Sequence, residues 1–153
     1  MRIEIAKISE EGDKYEGEEP REVLELEKDK FIDPSGSIHY DLFVQRVSDQ
    51  LVVKGILQVK FYLLCSRCAE FFSTTVVDSS FLRAYKLEEG TEVVDVTRDM
   101  REAVLLKIPP YPVCSAECHG LCRQCGMNLN KGICSCVPPE GPSPWDDLNR
   151  LKI

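Results

Sequence analysis

Residues 37–64 read SIHYDLFVQRVSDQLVVKGILQVKFYLL. Val, Ile, Phe and Tyr alternate with polar residues, the period-two signature of half-buried strands, with breaks near residues 49 and 55. This stretch predicts a meander of antiparallel strands. After a C-S-R-C interruption at 65–68, the run FFSTTVVDSSFLRAY predicts one more strand returning along the last. On the N-terminal side DPSG at 33–36 is a turn signal with Pro in second position. Farther out, VLELE (23–27) alternates again, residues 9–22 read as a polar loop broken by Gly and Pro, and MRIEIAKI alternates as a strand. Two long hairpins and a shorter N-terminal pair make a twisted sheet or partly open barrel.

The segment VTRDMREAVLLKIPP changes period. Val96, Met100, Ala103, Val104 and Lys107 or Ile108 recur every three to four residues, predicting a helix with Thr97 as N-cap and Pro109–Pro110 as its stop. Its apolar face should cover one face of the sheet. Residues 110–144 are rich in Cys, Gly and Pro and poor in large apolar side chains, so they need a staple to hold a structure. The tail SPWDDLNRL fits a short helix capped by Ser143, with Trp145, Leu148 and Leu151 inward; Trp145 serves better as a plug than as a partner anchor. The expected class is α+β: an antiparallel meander with one covering helix over 1–108, and a cysteine-rich zinc-knuckle segment with a short helix over 109–153.

At 153 residues and 43% hydrophobic composition the chain suits one domain, or one with a small satellite. No apolar run reaches the roughly 20 residues of a membrane span. The acidic N-terminal segment lacks the apolar core of a signal peptide, which points to the cytoplasm. There, thiols stay reduced and clustered C-x-x-C pairs mean metal more often than disulfide. The net charge is −7, of which residues 1–30 carry −5 with eleven acids against six bases. Such a field repels phosphate at long range and favours a protein partner over unspecific nucleic-acid binding.

The eight cysteines are Cys65, Cys68, Cys114, Cys118, Cys122, Cys125, Cys134 and Cys136. Eight thiols divide into two four-sulfur tetrahedra, the usual closed shell of structural zinc. In C-R-Q-C-G, two intervening residues let Cys122 and Cys125 converge, Gly126 permits the tight backbone beyond, and Asn128 and Asn130 suit the following turns. Cys134 and Cys136 follow closely enough to close the same site, and i,i+2 residues on a strand share a face. Cys114 and Cys118 then join Cys65 and Cys68, the first pair spaced as on a helical turn. This site would tie the sheet to the C-terminal segment. Rival readings are one zinc only, an iron–sulfur cluster, and a Cys65/Cys68 redox pair activated by Arg67; the redox reading lacks a following helix. His119 beside Cys118 is a substitute ligand or, more simply, a solvated side chain. His39 reads as an edge residue and Glu10–Glu19 as a solvated acidic loop. No nucleophile elbow, phosphate loop or carboxylate–His constellation occurs, so the chain reads as non-enzymatic.

The combination C-S-R-C-A-E-F-F, then L-L-K-I-P-P-Y-P-V-C, then C-H-G-L-C-R-Q-C-G-M-N-L-N and C-S-C resembles the bacterial YceD-like family, the large ribosomal RNA subunit accumulation proteins, over about residues 20–153. Ala69 departs from the family's frequent C-x-R-C-L. The resemblance implies a role in synthesis, processing or stability of large-subunit ribosomal RNA, hence in ribosome biogenesis. The expected partner is a ribosomal protein or large-subunit precursor, with a weak direct RNA contact through Arg67, Arg123 and Lys131. The competing classes are a thiol-redox or zinc-dependent enzyme and an interaction module unrelated to ribosomes.

Overall fold

The structure is a computed structural model, and it describes residues 1–26 and 29–137. The tail helix expected around Trp145 lies outside these residues. The 37–64 stretch forms a hairpin of β4 (Ile38–Val47) and β5 (Gln50–Leu64). Its register runs from Val47↔Gln50 to His39↔Gln58. The turn between them uses Ser48 in the left-handed region, φ 57°, as tight hairpin turns require. β6 (Phe71–Lys86) returns antiparallel along the other edge of β5, from Leu64↔Phe71 to Gln50↔Lys86.

On the β4 side, β2 (Asp13–Glu19) pairs with β4, and β3 (Ile32–Pro34) pairs with Phe61–Leu63, in line with β4 along the same edge of β5. Across the sheet the order is therefore β2, β4 with β3, β5 and β6. β2 and β6 do not meet, so the sheet is open. Separately, β1 (Arg2–Glu4) pairs with β7 (Val93–Asp95), and α1 (Thr97–Leu106) follows directly.

The core lies between the inner sheet face and α1. Every second residue of β5 points into it: Leu51, Val53, Leu57, Val59, Phe61 and Leu63 are all fully buried. Each such side chain contributes about 1.5–3 kcal/mol by leaving water. Val96, Met100, Ala103 and Val104 of the helical stripe meet them, and Ile3, Leu24 and Val94 close the rim. At the α1–β6 contact, Tyr85 Oη donates to Asp99 Oδ2 at 2.7 Å, and Arg83 Nε reaches Asp99 Oδ1 at 3.3 Å.

Several local expectations are corrected. Gly55 is no break, because β5 runs through it. A Cβ at Gly55 would lie 2.1 Å from the Asp41 carbonyl oxygen, so glycine lets β4 and β5 approach. The irregularity at this point falls between Gly55 and Leu57, where Ser79 and Ser80 of β6 face the single Ile56. That bulge switches the buried phase of β6 from Val76 and Asp78 to Phe81. The polar stretch 9–22 contains strand β2, whose alternation is nearly all charge because it sits on an edge. The described part of VLELE, residues 23–26, forms no strand; Arg21–Leu24 is a 3-10 turn that drives Leu24 into the core. β1 pairs with β7 and not with a neighbouring N-terminal strand. Thr97 is the first helical residue, and its N–H donates to Asp95 Oδ1 at 3.0 Å.

Candidate metal centres

The first cluster grows from the turn between β5 and β6. Cys65 N donates to Glu70 O (2.9 Å) and Ala69 N to Cys65 O (3.0 Å), closing the C-S-R-C loop into a knuckle. Ala69 takes a left-handed φ of 54°, uncommon for a residue with a Cβ. Ser66 N donates to Pro112 O at 2.8 Å and draws the segment after α1 against the knuckle. The sulfurs of Cys65 and Cys118 then stand 3.9 Å apart, and those of Cys68 and Cys114 3.8 Å. Sulfurs placed at ~2.3 Å around one tetrahedral centre would be about 3.8 Å from each other. A disulfide would need about 2.04 Å. Cys65, Cys68 and Cys118 are buried and Cys114 is exposed.

The second cluster is the C-terminal knuckle. Cys122 N donates to Met127 O (2.8 Å) and Gly126 N to Cys122 O (2.9 Å), with Leu121 bridged to Asn128. Gly126 takes φ 72° at the turn. The sulfurs of Cys122, Cys125, Cys134 and Cys136 lie within 4.8 Å of one another, as do those of the first cluster. The structure thus brings all eight cysteines together in the two groups expected from loop reach. The local geometry differs from expectation, however. Cys114 to Cys118 is a turn closed by Cys118 N→Ser115 O (3.2 Å) and not a helical turn, and Cys134–Cys136 lies in irregular backbone.

The electrostatics suit a soft divalent cation. Burial works against ionisation of Cys65, yet the amides of Cys68, Cys114 and Arg67 bring its thiol down to about 6. The Asn130 amide lowers Cys118 against its burial. Hydrogen bonding with Cys118 and burial push Cys114 up to about 12, and burial raises Cys68. In the second cluster the amides of Cys125 and Gln124 lower Cys122 to about 6, while hydrogen bonding with Cys125 pushes Cys136 up to about 12. Four sulfurs this close cannot all be thiolates on their own, and a bound cation removes that conflict. Backbone N–H groups of Arg67 and Cys114 donate to Cys65 Sγ, and that of Gln124 to Cys122 Sγ, each at 3.4 Å. Such outer contacts orient ligating thiolates.

Neither histidine joins a cluster. His39 pairs with Glu18 at 3.1 Å on the sheet, and His119 contributes only its backbone N–H, to Asn130 Oδ1 at 2.8 Å. Arg67 and Lys131 have structural occupations. Arg67 Nη1 donates to Ala116 O (3.1 Å) and Cys118 O (3.3 Å), and Lys131 Nζ reaches Glu70 Oε1 at 2.6 Å. Glu70 and the sulfur contact of Asn130 had no signal in the cysteine spacing. Only the chain's return past the C-S-R-C knuckle reveals them.

An open antiparallel sheet under one helix, joined to two clusters of four cysteines able to hold metal ions, defines a small β-sheet protein of metal-knuckle type. The chain belongs to the YceD family, described as large ribosomal RNA subunit accumulation protein, whose family model matches residues 53–152. It is 25% identical over 170 residues to the chloroplastic large ribosomal RNA subunit accumulation protein YCED homolog 1 of Arabidopsis thaliana, covering 84% of this chain and 53% of that protein. An uncharacterized protein of Mycobacterium tuberculosis is 31% identical over 114 residues, 64% of this chain and 54% of its own. The Zea mays chloroplastic YCED homolog 1 is 39% identical over 54 residues, 33% of this chain and 18% of that protein. The chain thus spans about half the length of the first two relatives. No solved structure matches it significantly.

Proposed function

We propose that this protein is a zinc-stabilised, non-enzymatic factor of the cytoplasm that supports synthesis, processing or stability of large-subunit ribosomal RNA, and that it acts by binding. The observation that carries this reading is membership of a family described by large-subunit ribosomal RNA accumulation, over residues 53–152. Zinc is the metal that four thiol donors at tetrahedral spacing favour among divalent ions, and its role here is folding. Each cluster supplies four protein ligands, Cys65, Cys68, Cys114 and Cys118 or Cys122, Cys125, Cys134 and Cys136. A tetrahedral ion held by four such ligands keeps no open position for a reacting water. The partner is a basic ribosomal protein or a large-subunit precursor, drawn by the negative charge of the chain. Arg67 and Lys131 are engaged within the protein, which leaves Arg123 as the weak candidate for direct RNA contact.

Deletion of the gene, read by sucrose-gradient profiles under fast growth and in the cold, tests the reading. Large-subunit precursors should fall relative to small-subunit ones; an unchanged ratio under both conditions refutes the ribosomal role. Affinity purification from growing cells should recover ribosomal protein or precursor as the dominant partner. Hydrolase or disulfide-exchange activity lost on one structurally silent Cys substitution would place the protein among enzymes instead.

A further inference from the structure

The G-M-N-L-N string after the second knuckle serves the first cluster. Asn130 sits between Cys125 and Cys134, inside the loop that the second cluster closes. Its side chain nevertheless reaches the other cluster: Asn130 Nδ2 lies 3.3 Å from Cys118 Sγ. The orientation of the amide is dictated from the opposite side, where the backbone N–H of His119 donates to Asn130 Oδ1 at 2.8 Å. Since an N–H must face an acceptor, Oδ1 points to His119 and the amino group to the sulfur. Asn128 supports the arrangement, its Oδ1 accepting both Asn130 N (3.0 Å) and Asn130 Nδ2 (2.9 Å). The loop is placed by Leu129 N→Gly120 O at 2.9 Å and by Lys131 on Glu70, the residue that ends the first knuckle. At Gly120 (φ 73°) an added Cβ would lie 3.1 Å from Arg67 O, so the two knuckles touch backbone to backbone there.

We propose that Asn130 couples the two four-cysteine sites: the second site holds its loop in place, and from there it donates a hydrogen bond to the Cys118 sulfur of the first. A thiolate that accepts an N–H is a better-oriented ligand, and outer contacts of this kind are worth about 10- to 100-fold in metal affinity. Loading the second site therefore tightens the first, and by thermodynamic reciprocity loading the first tightens the second. Asn130 is a positioning residue, not a ligand. The inference rests on the reading that both clusters bind metal.

The test uses the full chain, stripped of metal and kept reduced, titrated with Zn2+ or Cd2+. Native mass spectrometry counts the zero-, one- and two-metal forms, and alkylation with peptide mapping locates the unprotected thiols. The unaltered chain should pass mostly from empty to two-metal protein. In Asn130→Asp, which keeps an oxygen for His119 N–H but loses the donors, the one-metal form should accumulate. Its protected set should be Cys122, Cys125, Cys134 and Cys136, with first-site affinity down about tenfold or more. Asn130→Ala, which adds no charge, should do the same with the sheet retained by circular dichroism. A Cys125→Ser/Cys134→Ser chain should show a similarly weakened first site, to which Asn130→Ala adds little. Two metals filling independently in the unaltered chain, or unchanged protection of Cys65 and Cys68 in both Asn130 variants, would overturn the coupling and leave the metal reading standing. Uptake of no metal by either cluster would end both.

Discussion

Cys65 and Cys118 are separated by 53 positions in the chain, and their sulfurs stand 3.9 Å apart. The first directly follows the central strand β5, and the second follows the helix and the proline-rich turn beyond it. A metal between them would therefore hold the C-terminal segment against the sheet, whereas the second cluster closes a loop of its own neighbours.

Serine substitutions should expose that difference. Purified without added metal, the chain should carry about two zinc ions; a ratio near one, or iron with visible charge-transfer colour, contradicts paired zinc sites. Cys125→Ser should loosen the C-terminal knuckle and leave the sheet protected in hydrogen exchange. Cys65→Ser should release residues 110–137 from the sheet, visible as faster exchange at Ser66, whose N–H is held by Pro112 O.

Arg67 should prove a brace and not an RNA contact. Its Nη1 donates to two carbonyls of the 116–118 turn, those of Ala116 and Cys118, and so ties the first knuckle to that turn. Arg67→Ala should speed chelator-driven metal loss from the first cluster several-fold, with a smaller effect on the second that follows emptying of the first. An equal effect on both clusters, followed by thiol alkylation, would contradict this placement.

Gly55→Ala tests the close approach of β4 and β5. The new Cβ would stand 2.1 Å from Asp41 O and 2.8 Å from Leu42 Cα, both backbone atoms that cannot rotate away. Overpacking of this kind costs about 1–3 kcal/mol, and urea denaturation should show at least that loss. Gly36→Ala, where no atom lies within 4 Å, is the control and should be nearly neutral.

Asp78 should make the protein acid-sensitive. It is buried at the β6 bulge, and burial alone would raise its pKa. The Ser80 hydroxyl and amide, with Lys107, outweigh burial and hold the carboxyl below its usual value. A group whose folded pKa is depressed contributes its stability above the unfolded value of about 3.9 and loses it as pH falls through the folded one. Thermal melts should therefore fall below about pH 4, and Asp78→Asn should be less stable than the parent at pH 7 but show a shallower fall in acid. An identical acid slope in the variant would remove Asp78 from the account.

Much of this protein was legible in local pattern. Period two marks the long β4 and β5 strands and β6, and a stripe at 3.6 marks α1, because burial on one face imposes periodicity on near neighbours. The Cys122–Cys136 group was legible for the same reason, since a short loop limits what its thiols can reach. Other features depended on residues distant in the chain. The seven-residue β2 bears almost no apolar signal, because an edge strand gains its place from β4's backbone. Leu24 enters the core on a 3-10 turn that VLELE does not announce, and β1 finds β7 across about ninety positions. Gly55 looks like a breaker until the neighbouring strand is seen against it. The pairing of Cys65 and Cys68 with Cys114 and Cys118 followed from the sequence only by elimination. Tertiary structure decided it physically: β5 and α1 end side by side, so the knuckle after one meets the turn after the other. The reach of Asn130 to Cys118 belongs to the same kind of fact, because hydrogen bonds between loops depend on where the sheet sets them down and not on their spacing along the chain.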